Sequence, residues 1–184
     1  MKIAIVGGIA SGKSTIMQML RERGISTFSA DAVARDVLWD NSVQEQLMSH
    51  FSTTESISPV ILKSLISQDD SNRRAVNRIM HPVIAGEIEQ SLATVYEIPI
   101  LFETCLQTSF DAIWLAKCSP ETQNLRLRER YGDAPKYDQI SWQLDSKVAN
   151  AFADSVINTD ASKDETLENL LQEGKRWGIS LVVS

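Results

Sequence analysis

The sequence predicts an α/β fold in three layers: a five-stranded parallel sheet with helices on both faces. Two observations predict it. Short apolar runs of strand length alternate with helical segments, the pattern of parallel strands buried on both sides. A glycine-rich turn over residues 7–12 joins the first apolar run directly to the first helix. In such sheets ligands bind beyond the carboxyl ends of the strands. The residues that follow each run are therefore the first candidates for function.

Residues 2–6 (KIAIV) form the first strand, and residues 13–23 a helix with Ile16, Met19 and Leu20 on one face, ended by Gly24. Residues 25–28 are the second strand. Asp31 opens a helix carrying Val33, Val37 and Leu38, and residues 41–92 are mostly helical by pattern, with polar breaks near 52–58 and 68–71. The third strand covers 94–98, where Pro99 limits its continuation. The fourth covers 112–116 (AIWLA), followed by a helix over 120–130 with Pro120 in its first turn. A turn at 132–135 precedes helical residues 137–152, a fifth strand at 155–157 and a closing helix over 163–177. The apolar residues 179–183 suit either a sixth strand or a surface covering another chain. No linker or repeat divides the 184 residues, so a single domain is expected.

Composition narrows the class. Apolar residues make up 43% and charged residues 23%, the balance of an ordinary globule. The net charge of −6 argues against a nucleic-acid partner, which needs a basic surface to displace counterions. No apolar run approaches the ~18 residues of a membrane span. The apolar N-terminus is interrupted by Gly7 and Gly8 and has no cleavage-site pattern, so it is not read as a signal peptide. Cys105 and Cys118 form no CxxC pair and no ligand cluster with His50 or His81, which suits reduced thiols. A cytoplasmic location is expected. Oligomeric state is not encoded in any pattern found.

The strongest signal is Gly7-Gly8-Ile9-Ala10-Ser11-Gly12-Lys13-Ser14, a full match to G-x-x-x-x-G-K-[ST] between a strand and a helix. Glycines let the backbone amides of Gly8, Ile9, Ala10, Ser11 and Gly12 turn inward around phosphate oxygens, and the helix N-terminus adds positive potential there. Lys13 is placed to reach the β- and γ-phosphates of ATP, and Ser14, next to Thr15, to ligate Mg2+. The GTPase signatures DxxG and NKxD are absent, since Pro135-Lys136-Tyr137-Asp138 lacks the asparagine. The transporter-type LSGGQ segment is absent too. A short chain with an arginine-bearing helix after the fourth strand fits a kinase of small metabolites.

Asp31 follows the second strand. There it suits a base that accepts a proton from an attacking alcohol, and equally a helix N-cap. Arg126 and Arg130 are four apart and share a helix face. Such a pair can clamp a transferring phosphoryl group, or pair on the surface with Glu121 or Glu129. Arg128 points elsewhere on that helix. Glu97 suits a carboxylate holding a magnesium-bound water, or a capping residue.

Six segments in order resemble the dephospho-CoA kinase family. They are the phosphate loop through Thr15, Ser29-Ala30-Asp31-Ala32-Val33-Ala34-Arg35, Ile79-Met80-His81-Pro82, Glu97-Ile98-Pro99-Ile100-Leu101-Phe102-Glu103, Gln123-Asn124-Leu125-Arg126-Leu127-Arg128-Glu129-Arg130, and Gln143 with Lys147 and residues 153–158. The resemblance covers nearly the whole chain. It implies a P-loop kinase fold and transfer of the γ-phosphoryl of ATP to the ribose 3′-hydroxyl of dephospho-CoA, with magnesium. It implies that Asp31 orients that hydroxyl, that Arg126 and Arg130 contact ATP, and that Asn158 lies near the adenine. It also implies that His81, Pro82, Leu101 and Phe102 line the acceptor site, although a histidine packed for structure at a helix start, and core packing for Leu101 and Phe102, suit the residues as well. The acceptor region would be the helices over 33–92, and a short lid would cover 125–149.

This sequence departs from the family pattern at three places. Ser29 replaces the first aspartate of Asp-Ala-Asp, removing a carboxylate near the metal. Gln139 stands where an arginine is usual; Lys136 can substitute only as a point charge, since a lysine lacks the planar fork. The stretch between Asn72-Arg73 and His81 is short. Two further readings of the same residues stay open: a P-loop kinase of another small acceptor, such as a nucleoside or nucleotide, and an ATP-binding regulatory protein that has lost catalysis.

Overall fold

The computed structural model describes residues 1–132 and 146–179. Five strands form one parallel sheet in the order β2-β3-β1-β4-β5, with β1 (Ile3–Val6), β2 (Thr27–Ser29), β3 (Val95–Glu97), β4 (Ala112–Lys117) and β5 (Ser155–Asn158). The central strand β1 is flanked by β3, with Ile3 opposite Val95, and by β4, with Ile3 opposite Ala112. All four residues of β1 are buried, as expected of a strand covered on both faces. At the edge, β5 alternates buried and exposed residues.

The chain forms two compact units, Ser29–Ser91 and the remainder. In the larger, helix α1 (Lys13–Arg21) buries Ile16, Met17, Met19 and Leu20. These pack with Ile3, Ile5, Trp114, Ile157 and Leu170 in one core. Helix α6 (Pro120–Tyr131) begins with Pro120 in its first turn and Ser119 as N-cap, its hydroxyl accepting from the Thr122 amide. Helix α7 (Ser146–Phe152) precedes β5, and α8 (Lys163–Arg176) starts with a capping box. In that box Ser162 Oγ accepts from the Glu165 amide, and the Glu165 carboxylate accepts from the Ser162 amide.

The smaller unit contains α2 (Ala30–Val37), α3 (Asn41–His50), α4 (Pro59–Gln68) and α5 (Asp70–Gln90). Helix α5 packs against the other three. Val37, Leu38, Val43, Leu47, Ile57, Val76 and Met80 form its own core. Gln44 is buried in it with its polar atoms satisfied: Nε2 donates to the carbonyls of Leu38 and Ile57, and Oε1 accepts from the Ile57 amide. The helix breaks fall where the polar stretches predicted them.

Two expectations change. Asp31 is not an N-cap: Ser29 occupies that position, and Asp31 is the second residue of α2. His81 does not start a helix but lies inside the 21-residue α5, which runs on through Pro82 although the ring removes the donor for the Arg78 carbonyl. The turn at 133–135, the helix expected from 137 to 145, the greater part of the lid, and residues 180–183 lie outside the described residues, as do Lys136, Gln139 and Gln143.

Candidate active site

The phosphate loop connects β1 to α1 and is shaped by two glycines. Gly7 has φ +147° and Gly12, the N-cap of α1, has φ +93°. A Cβ on Gly7 would stand 2.5 Å from the Ala116 carbonyl oxygen and 2.6 Å from Ser11 Oγ. One on Gly12 would stand 2.8–2.9 Å from the Thr159 side chain. Both positions therefore demand glycine for space as well as conformation. Ala10 also takes a left-handed conformation, φ +60°. The loop closes through the Ser11 amide donating to the Gly8 carbonyl, and the Thr15 and Ile16 amides donating to that of Gly12.

Lys13 is 8% exposed, and its ammonium donates to the carbonyls of Gly7 at 2.7 Å and Gly8 at 2.9 Å. Its positive charge is thus held at the mouth of the loop. Ser11 is 4% exposed, and its Oγ has no hydrogen-bond partner among the described residues. A buried hydroxyl of this kind costs free energy unless a ligand oxygen meets it. Ser14 is exposed in the first turn of α1, with Thr15 half-buried beside it.

Helix α6 supplies the second wall. Gln123 Nε2 donates to the Ile9 carbonyl at 2.8 Å. One turn on, Arg126 Nη1 donates to the Ala10 carbonyl at 3.4 Å and to Thr159 Oγ1 at 3.2 Å, while Nη2 donates to the Thr159 carbonyl. Of the two alternatives for Arg126, the surface pair is not formed: among the described residues it bonds to the loop and to Thr159 rather than to Glu121 or Glu129. Arg130 stays exposed, its guanidinium 5.7 Å from the Tyr131 ring, and Arg128 is exposed. Asp160 accepts from both the amide and the hydroxyl of Ser119. Hydrogen bonding from Thr122 and Ser119, with Arg126 nearby, holds its carboxyl below the ordinary range. Cys118 lies half-buried near Ala10, and burial raises its thiol pKa against the opposing pull of Arg126.

A cleft lined by Gly8, Ser11, Pro99, Phe102, Cys118 and Gln123 opens beside the loop. Phe102 faces it and stacks at 5.6 Å on Phe152. Leu101 is fully buried and belongs to the core, the alternative the sequence left for it. Glu97 ends β3 opposite Ile5, and Asn158 ends β5 with its side-chain oxygen accepting from the Asp160 amide.

In the smaller unit, Asp31 is exposed at the start of α2 and its backbone carbonyl accepts from Arg35 Nε. On α5, His81 and Pro82 line a shallow groove with Arg74, Asn77, Arg78 and Ala85. His81 is half-buried, which lowers its pKa.

Sequence reading missed Gln123 as a loop contact, together with Thr159 and Asp160. The three-residue spacing of Gln123 and Arg126 on one helix was the available signal for the first. Nothing local signalled the other two.

The family model for dephospho-CoA kinase matches residues 1–165. The chain is 30% identical over 196 residues to a dephospho-CoA kinase of Halalkalibacterium halodurans, covering 97% of this chain and 98% of that one. It is 32% identical to one of Bacillus anthracis, covering 96% and 97%. Among solved structures, TT1252 from Thermus thermophilus superposes with a TM-score of 0.82 at 22% identity, covering 96% and 97%. Dephospho-CoA kinase from Campylobacter jejuni does so at 0.72 and 18%, covering 96% of each chain. Shikimate kinase from Aquifex aeolicus shares the fold at a TM-score of 0.53 and 15% identity, covering 98% and 99%. The three-layer P-loop kinase architecture is therefore the fold of this chain, and by family model and by curated relatives alike the chain belongs to the dephospho-CoA kinase family.

Proposed function

We propose that the protein transfers the γ-phosphoryl group of ATP to the ribose 3′-hydroxyl of dephospho-CoA, giving coenzyme A and ADP. The observation that carries this reading is the phosphate loop with Lys13 at its mouth and Arg126 seated on its Ala10 carbonyl, in a chain matched by the family model over residues 1–165. Two cations beside one turn of inward-facing backbone suit a group whose charge spreads over equatorial oxygens.

The segment from Gly8 to Thr15 cradles the phosphates. Lys13 exchanges its two carbonyl partners for β- and γ-phosphate oxygens. Ser11 Oγ, buried without a partner among the described residues, gains one from the nucleotide. Arg126 faces the transferring group, Arg130 adds a more distant charge, and Asn158 lies by the adenine. Asp31 orients the acceptor hydroxyl and takes its proton as the oxygen forms its bond to the γ-phosphorus. The bond from that phosphorus to the bridging oxygen breaks, and ADP leaves. His81 and Pro82 on α5, with Phe102, contact the acceptor, and Leu101 supports Phe102 from the core. The helical region over 33–92 receives dephospho-CoA. A lid over 125–149 excludes water and so suppresses ATP hydrolysis.

Magnesium fits the residues present. The Ser14 hydroxyl and the Glu97 carboxylate, the latter through water, are hard oxygen donors of the kind this ion takes. Among the described residues no three His, Cys, Asp or Glu side chains gather as a metal cluster, which suits an ion carried in by ATP phosphates. When bound, it neutralises charge on those phosphates. No helix among the described residues is long and apolar enough to cross a membrane. An enzyme without nucleic-acid partners is the reading consistent with the net charge of −6, and two cysteines without a paired motif suit the cytoplasm.

The test is ADP release from ATP and magnesium with and without dephospho-CoA, with the product identified by mass. A rate that requires dephospho-CoA and a product one phosphate heavier is expected. ATP binding without that stimulation, or turnover on a nucleoside instead, would overturn the acceptor assignment.

A further inference from the structure

We infer that Thr159 is a positioning residue for phosphoryl transfer, its hydroxyl registering Arg126 against the phosphate loop; this rests on the role of Arg126 proposed above. Thr159 is 3% exposed, and each of its polar groups is committed. Its amide donates to the Lys117 carbonyl at 2.8 Å, and its carbonyl accepts from Arg126 Nη2. Its Oγ1 lies 2.7 Å from the Ser11 carbonyl and 3.3 Å from that of Lys117, so it donates to the nearer, Ser11, and it accepts from Arg126 Nη1 at 3.2 Å. A hydroxyl has a single proton, so donation to Ser11 turns a lone pair toward the guanidinium.

The same side chain fills the space over Gly12, where a Cβ would approach to within 2.8–2.9 Å. One residue thus touches the loop at Ser11 and Gly12 and touches Arg126 twice. Asp160, the next residue, accepts from the amide and hydroxyl of Ser119 at the start of α6. Residues 159 and 160 therefore hold both the guanidinium and the N-terminus of the helix that carries it. Three guanidinium N–H groups are used against Ala10 and Thr159, and the group has five. Donors remain for a phosphate oxygen while the anchor stays in place.

A shape-conserving Thr159→Val keeps the packing on Gly12 but removes the hydroxyl's bonds, leaving Arg126 held only by the carbonyls of residue 159 and Ala10 and its Nη1 out of register with the loop. Small displacements of such a group cost large factors in rate, so kcat is expected to fall about 10-fold or more, with Thr159→Ser within about 3-fold of the unmodified protein. The deciding experiment is a double-mutant cycle with Arg126→Gln, following kcat, KM for ATP and the dissociation constant of magnesium–ATP by calorimetry. In the Arg126→Gln background, Thr159→Val should cost less than about 2-fold more, because the residue it positions is already gone. The same fractional loss in both backgrounds, or a Thr159→Ser variant as slow as Thr159→Val, overturns the inference. Should Thr159→Val not fold, Thr159→Ala, which adds no bulk, carries the same cycle. Unmodified protein that binds ATP but does not phosphorylate dephospho-CoA overturns the acceptor assignment alone; the cycle is then decided on ATP affinity.

Discussion

The ammonium of Lys13 lies 2.7 Å from the carbonyl oxygen of Gly7, so the loop's own backbone holds the charge that ATP needs. Replacing Lys13 with Ala removes that charge from the β- and γ-phosphates. Dephospho-CoA-dependent ADP release is expected to slow by roughly 10²-fold or more. An unchanged rate would remove Lys13 from the transfer step.

Asp31 carries the proton in the proposed reaction. Asp31→Asn keeps the shape but cannot accept a proton, and turnover should fall by about 10²–10⁴-fold. ATP affinity, measured by calorimetry, should stay the same. Because Asp31 is exposed and Ser29 is the N-cap of α2, melting should be little changed. Turnover at the unmodified rate would sink the base assignment.

Gly12 combines a left-handed backbone, φ +93°, with the Thr159 side chain 2.8–2.9 Å from any added Cβ. Gly12→Ala should destabilise the fold by about 1–3 kcal/mol, visible as a lower melting temperature, and should weaken ATP binding. Gly86, where a Cβ would meet nothing within 4 Å and φ is not left-handed, serves as the control, and its change to Ala should be tolerated.

Asp160 has a carboxyl pKa below its ordinary 3.8 in the folded protein. A depressed folded value means that its contribution to stability is present above about pH 4 and is lost as the pH falls through the folded value. Between pH 5 and pH 3 the unmodified protein should therefore lose more melting temperature than Asp160→Asn does. Equal losses would show that the Ser119 bonds do not depend on the charge.

Much of the fold was legible because its signals are local. Residues 3–6 are apolar enough to be a buried strand, the glycine-rich loop is contiguous, and polar stretches near 52–58 and 68–71 mark the helix breaks. The loop's lysine was legible for the same reason. The helix start read at His81 was misplaced because proline is favoured in a first helical turn, yet packing of α5 against three neighbours carries the helix through Pro82. Gln44 gave no sign of being buried, because its partners Leu38 and Ile57 lie on either side of it in loops that only the fold brings together. Thr159 was invisible for a related reason: its hydroxyl meets the carbonyl of Ser11, 148 residues away, and no spacing rule spans that distance.

The central strand has a consequence for how the protein is made. Ile3 pairs with Val95 on one side and Ala112 on the other. Translation therefore yields the nucleotide-binding motif well before β3 and β4, the strands that flank β1 in the sheet. Both neighbours of β1 must be translated before the strand is fixed, and parallel pairing over such separations is slow to form. ATP therefore cannot template the steps that precede this pairing; it can select only chains translated past β4.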